Sequence, residues 1–177
     1  MESGTEFESQ RESNPAGEAV VAELLWIHGL IRDSLKVVQN LAVRVEAGAK
    51  PQELRDEVNE LKANNIVWTL RVNCLRYCRF VHGHHGLEDA AVFPGLRKVN
   101  PMLNPVIDRL EEDHRVVSDL LDSVEKHARE LESDDRARME MGHALSTLAE
   151  HLLEHLEFEE ASLTPTLSRL SGWNDLW

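Results

Sequence analysis

The chain predicts an all-α fold, an up-down-up-down four-helix bundle. Three features point that way. Alanine, leucine, glutamate and arginine are abundant over 177 residues while aromatics make up only 5%, and the Val/Ile/Thr alternation of a sheet is nearly absent. Apolar residues recur at helical spacing in four stretches. Glycine and proline punctuate the chain between those stretches, leaving connections short enough for antiparallel neighbours.

The span 1–16 is rich in Glu, Ser and Gly and cannot bury enough apolar surface to offset chain entropy, so it is expected to be a disordered tail. A first helix is expected from about Pro15 to Ala47, carrying Leu24, Ile31, Leu35, Val38 and Ala42 on one stripe and ending at Gly48. From Pro51 the pattern stays helical to about Val92, with an irregularity expected near Asn64-Asn65 and a bend or stop at Phe93-Pro94-Gly95. A third helix is expected from about Pro105 to Leu131. A fourth follows the Ser133-Asp134-Asp135 cap and runs past Glu160 to Pro165. The domain proper spans 17–170, and the short tail 171–177 is expected to fold its two tryptophans back on the bundle.

Two segments place a histidine one helical turn before a carboxylate: His84-His85-Gly86-Leu87-Glu88-Asp89 and His155-Leu156-Glu157-Phe158-Glu159-Glu160. Residues four apart share a helix face, so each segment offers an imidazole and a carboxylate to one point in space. On a helical wheel the stripe of Ile66, Leu70, Cys74, Tyr77, Val81, Ala91 and Val92 is centred on Glu88, with His84 and His85 to either side. The stripe of Met141, Leu145, Leu148, Leu152 and Leu163 is centred near Glu159, with His155 beside it and His151 farther round. His28 flanks the Leu24/Ile31/Leu35 line, and His114 flanks Leu110/Val117/Leu121.

A buried carboxylate is costly unless it is paired or bound to metal, and two facing each other among neutral imidazoles are costlier. Cations between them remove the penalty. Central carboxylates able to bridge, with imidazoles outside, describe a dinuclear centre in a bundle core. A nitrogen and oxygen ligand set without thiolate suits iron or manganese, and several imidazoles with few carboxylates favour iron.

The chain resembles the hemerythrin-like family of His-His-Glu cation-binding domains over roughly Ala19 to Leu170. The likeness rests on His28 followed by Arg32, on His84-His85-x-x-Glu88-Asp89 running into Phe93-Pro94, on Asp113-His114, and on His155-x-x-x-Glu159-Glu160 running into Leu163-x-Pro165. It implies a bundle holding two non-haem iron ions joined by an oxo or hydroxo group. His28, His84, His114 and His155 are the implied imidazole ligands, one from each helix, with Glu88 and Glu159 bridging. Such proteins bind or react with dioxygen, nitric oxide or peroxide, or sense iron and oxygen. Weak peroxidase or catalase-like turnover and a non-enzymatic sensor both follow from it.

The sequence departs from oxygen-carrying hemerythrins where those place a second histidine one turn after the third helix's first, because Ser118 stands there. A fifth imidazole then comes from His85 or His151, or is replaced by solvent or by Tyr77, two turns before His84. His85 has another outlet, pairing with Asp89 one turn on. Arg32 is expected to pair with a carboxylate of a neighbouring helix. His82, His127 and His143 fall away from the apolar stripes and are expected to face solvent.

A formal net charge of −13, with cations scattered among more numerous anions, repels a phosphate backbone and argues against nucleic-acid partners. The first thirteen residues carry neither a basic segment nor an apolar core, so no leader or membrane span is read there and the cytoplasm is the expected location. Cys74 and Cys78, one turn apart, are expected to be reduced thiols in or near the core.

Overall fold

The computed structural model describes residues 14–46, 66–130 and 135–177. Helix α1 is Pro15–Glu46, α2 is Ile66–Leu87, α3 is Phe93–Val99, α4 is Asn104–Glu130 and α5 is Asp135–Leu167. No strand occurs among the described residues, and no helix there is long and apolar enough to cross a membrane. The tail expected before Asn14, the irregularity expected near Asn64-Asn65 and the cap expected at Ser133-Asp134 lie outside the described residues.

α1 starts within the span expected to be tail, and its first turn shows why. Pro15 supplies a preset φ and needs no hydrogen bond there, while the Asn14 side chain accepts from the Ala16 N–H at 3.1 Å. The Asn14 amide also donates to the Leu170 carbonyl at 2.7 Å. Beside it, Gly17 lies so close to the end of α5 that a β-carbon would clash with the carbonyls of Leu167 and Ser168.

Contacts between helices fix the topology. α1 and α5 run antiparallel, since Asn14 meets Leu170 and His28 meets Glu160. Arg109 stacks over Phe158 and Asp113 lies near His155, so α4 and α5 are antiparallel as well. Arg71 donates to the Ala128 carbonyl and Cys78 to that of Leu121, which sets α2 against α4 in the same sense. α1 closes the ring against α2, completing the up-down-up-down bundle.

The expected break at Phe93-Pro94-Gly95 is instead a π turn. Residues Glu88–Val92 form one widened turn, in which the Phe93 N–H donates to the Glu88 carbonyl, and the helix continues as α3. Pro94 cannot donate and its ring would strike the Ala90 carbonyl of a regular α-turn; widening the turn relieves that clash while helical direction is kept. Beyond α3 the chain reaches α4 through a short 3₁₀ turn, Pro101–Leu103, where the Asn100 side chain accepts from the Met102 N–H.

The core has two apolar layers. One holds Ile31, Leu35 and Val38 with Val81, Val117, Leu121, Leu148 and Leu152. The other holds Val20 and Leu24 with Phe93, Leu96, Ile107, Leu110 and Leu163. His28 on α1, His84, His85 and Glu88 at the end of α2 and in the π turn, His114 on α4, and His155 and Glu159 on α5 are buried between the two, so a polar plate crosses the bundle. The C-terminal tail folds back through Trp173 and Leu176, whereas Trp177 is 65% exposed. Leu176 packs against Gly95 where a β-carbon would not fit, and the Trp173 indole donates to Glu23 at 2.8 Å.

Candidate metal centre

All four long helices send imidazoles into the polar plate. His28, His84, His85, His114 and His155 are buried, and so are Glu88 and Glu159. His28 Nε2 lies 3.0 Å from His84 Nε2, and His84 Nε2 lies 3.3 Å from Glu88 Oε1. The other oxygen of Glu88 faces α4, with Oε2 3.6 Å from His114 Nε2. Glu159 Oε2 stands 3.5 Å from both His28 Nε2 and His155 Nε2.

Among the described residues, three overlapping groups could each hold a cation: His28, His84 and Glu88; His85, His114 and His155; Glu88, His114 and Glu159. Ligands about 2.1 Å from a metal and at right angles to one another are themselves about 3 Å apart, which is the spacing of the closest pairs here. Most of the buried side-chain polar atoms without a hydrogen-bond partner among the described residues belong to the same space: His85 Nε2, Glu88 Oε2, His114 Nε2, His155 Nε2 and both oxygens of Glu159, with His155 Nδ1 at its edge and the Tyr77 hydroxyl the exception. Buried groups in that condition are rare in proteins unless an ion or ordered water satisfies them. The donor set therefore fits a metal centre.

Carboxylates at the rim orient the rings. The His28 Nδ1–H donates to Glu160 Oε1 at 2.8 Å, and the Arg32 guanidinium holds that same oxygen at 2.6 Å. The His114 Nδ1–H donates to Asp89 Oδ1, also at 2.8 Å. In each case the proton on Nδ1 leaves the Nε2 lone pair aimed inward, as metal ligation requires. Asp113 approaches His155 Nδ1 only to 3.9 Å, beyond hydrogen-bond reach. Stacking adds rigidity: His85 lies parallel to His114 at 4.1 Å between centroids, and Phe93, delivered by the π turn, also stacks on His114 at 5.3 Å.

A family model, the hemerythrin HHE cation binding domain, matches residues 52–167. The chain belongs to this family. No curated protein and no solved structure matches it.

Electrostatics in the hemerythrin domain follow from burial. Desolvation, with neighbouring imidazoles adding to it, lowers the pKa of His84 and of His114 to about 3, and burial lowers that of His155 to about 4. His28 and His85 are pushed down for the same reason. Glu88 is driven well above the ordinary carboxylate range by burial and by the facing Glu159, and burial raises Glu159 too. Burial alone would raise Glu160, but its hydrogen bonds from Arg32 and His28 outweigh that and hold it low. Without a cation, neutral imidazoles surround carboxylates that resist ionising.

His85 and His151 part company here. His85 joins the buried plate in the group with His114 and His155, whereas His151 is exposed on the outer face of α5 and belongs to no such group. Ser118 is half-buried. Tyr77 sits in an apolar layer, and its hydroxyl has no hydrogen-bond partner; side chains on a helix lean toward its N-terminus, which for Tyr77 is away from His84. His143 is exposed, and His82 is part-exposed, 3.5 Å from Asp122. Both cysteines are free and buried, with Cys78 pushed up to about 12 by burial, so they are poor nucleophiles.

Two positioning groups were not assigned from sequence. Asp89 serves His114 rather than His85, and Glu160 is the carboxylate that Arg32 meets. The Glu159-Glu160 doublet carried the signal for the second: adjacent residues 100° apart on a helix put one carboxylate inward and one at the rim.

Proposed function

We propose that this hemerythrin domain holds two iron ions, one among His28, His84 and Glu88 and one among His85, His114 and His155, with Glu88 and Glu159 shared between them. The observation that carries this is the convergence of inward imidazole nitrogens and two buried carboxylates on one plate between apolar layers. Glu88 offers one oxygen to each half, and Glu159 faces an imidazole from each half. Iron bound there supplies Lewis acidity and reversible one-electron chemistry.

The protein's own groups set what can react. Leu24, Ile31, Val81, Leu110, Val117 and Leu152 are all buried around the plate, which excludes large substrates and admits dioxygen, hydrogen peroxide or nitric oxide. The imidazoles remain neutral at physiological pH, and Glu160 and Asp89 fix the tautomers of His28 and His114. Peroxide turnover of the peroxidase or catalase kind is the enzymatic form of this function. The two free thiols fit a reducing cytoplasm.

A sensing role is favoured by one observation: the carboxylates whose ionisation burial opposes are those a cation would relieve, so occupancy couples to folding stability. Iron analysis with an absorption spectrum of aerobically purified protein tests the centre itself. Two irons per chain with near-ultraviolet absorption support it, and substoichiometric zinc contradicts it. Multiple turnovers of peroxide then favour the enzyme, and a stoichiometric spectral change with altered stability favours the sensor.

A further inference from the structure

The two halves of the plate are held differently. In the half formed by His85, His114 and His155, ring contacts brace the imidazoles: His85 stacks on His114, Phe93 covers His114, and His155 meets both histidines edge-on at 5.1 and 4.7 Å. Asp89 adds its hydrogen bond to His114. The other half has two imidazoles, and the ring contact of His28 is a single edge-on approach to His84 at 5.1 Å. What fixes the His28 ring is Glu160, and what fixes Glu160 is Arg32. One oxygen, Glu160 Oε1, takes both bonds, at 2.8 Å from His28 Nδ1 and 2.6 Å from Arg32 Nη1.

This pair also joins the helices on which the half depends. Arg32 follows His28 by one turn on α1 and reaches across to α5, where Glu160 is next to Glu159. Arg32 and Glu160 side chains keep 25% and 21% of their surface in contact with solvent, so the pair forms the outer wall of the two-imidazole half.

We infer that Arg32 and Glu160 are positioning residues for one half of the centre: together they hold His28 in its ligating orientation and set how tightly the two-imidazole half keeps its iron, while the three-imidazole half is independent of them. The inference rests on the two-iron centre proposed above. It makes the two irons unequal in lability, with the one beside His28 released first when the clamp is cut.

Iron-loaded full-length protein is challenged under anaerobic conditions with increasing concentrations of a ferrous chelator, and the iron retained per chain is measured after desalting. The native chain is expected to start at two. Glu160→Gln and Arg32→Leu are expected to lose about one iron per chain at a chelator concentration roughly 10–100-fold lower than the native protein needs, and to hold the other iron as the native protein does. Arg32→Lys, which keeps a cation for Glu160, is expected to restore most of the difference; a merely structural role would not give loss confined to one equivalent with such rescue. Arg32→Leu provides the test should Glu160→Gln fold poorly, with circular dichroism reporting the fold of each. Variants that keep both irons like the native chain, or that release both in parallel, overturn the inference and leave the two-iron centre standing. A native chain that never holds two irons overturns both.

Discussion

Asp89 Oδ1 lies 2.8 Å from Nδ1 of His114, a bond from the π turn to the middle of α4. It presents the His114 Nε2 lone pair to the plate and adds negative charge behind the ring, which strengthens a ligating imidazole. Asp89→Ala is expected to weaken metal affinity by about 10–100-fold with little change in helix content. Chelator competition and circular dichroism on the same samples check both halves of the statement.

His85 and His151 compete for the role of fifth imidazole, and their burial separates them. His85→Ala removes an inward nitrogen from the three-imidazole half and is expected to lower iron content by about one per chain; His151→Ala, at an exposed position, is expected to leave it unchanged. Iron analysis of the two purified variants beside the native chain is sufficient.

The pKa shifts give the metal-free chain an unusual pH profile. Its five buried histidines, His28, His84, His85, His114 and His155, are held below the ordinary 6.5, with His84 and His114 at about 3 and His155 at about 4. As pH falls below 6.5 the unfolded chain takes up protons that the folded chain refuses, so stability is lost toward pH 3–4. Glu88 and Glu159 are shifted the other way, upward from 4.5. Their contribution is complete below 4.5 and is lost as pH rises toward their folded values. Up to about pH 6.5 the five buried imidazoles outweigh the two carboxylates, and above it only the carboxylates still act, so thermal unfolding of metal-free protein is expected to peak near pH 6.5 and to decline above it, while bound metal is expected to extend high stability upward. Glu159→Met should flatten the neutral-side decline, raising metal-free stability at pH 7.5 by on the order of 1–4 kcal/mol while abolishing tight metal binding. A Tm that climbs steadily from pH 5 to pH 8 without metal would contradict this.

The C-terminal tail is held at Gly95, where a β-carbon would come within 2.5 Å of the Leu176 carbonyl oxygen and 2.6 Å of its Cβ. Gly95→Ala is expected to push the tail off α3 and cost roughly 1–3 kcal/mol. Thermal denaturation measures the loss, and the same substitution in a chain ending at Leu170 should cost much less.

Much of the bundle was legible because apolar stripes reveal which face of a helix is buried. Leu110, Val117 and Leu121 were enough to turn His114 inward, and the stripe around Leu152 placed Glu159 at its centre. The choice between His84 and His85 was not legible, and the reason is geometric: they lie 100° apart on either side of Glu88, and the structure buries both in the plate. Pro94 announced an interruption, but a broken helix and a widened turn look alike in sequence, since both answer the same missing N–H. Asp89 stands one turn after His85, which made that pairing one of two outlets for the ring; its actual partner, His114, is on another helix, which intrahelical spacing cannot reveal. Trp173 and Trp177 are equally apolar, and only the notch at Gly95 and the carboxylate of Glu23 decide which end of the tail docks.

The central claim is that the buried faces of Glu88 and Glu159 exist to hold a pair of cations. Anomalous diffraction at the iron edge, from crystals of protein purified aerobically with iron supplied, tests it most directly. Two peaks are predicted, one beside His28 and His84 and one beside His85, His114 and His155, with both carboxylates between them. Well-ordered side chains with no iron signal on the plate, or Glu88 and Glu159 swung outward into water, would contradict the account.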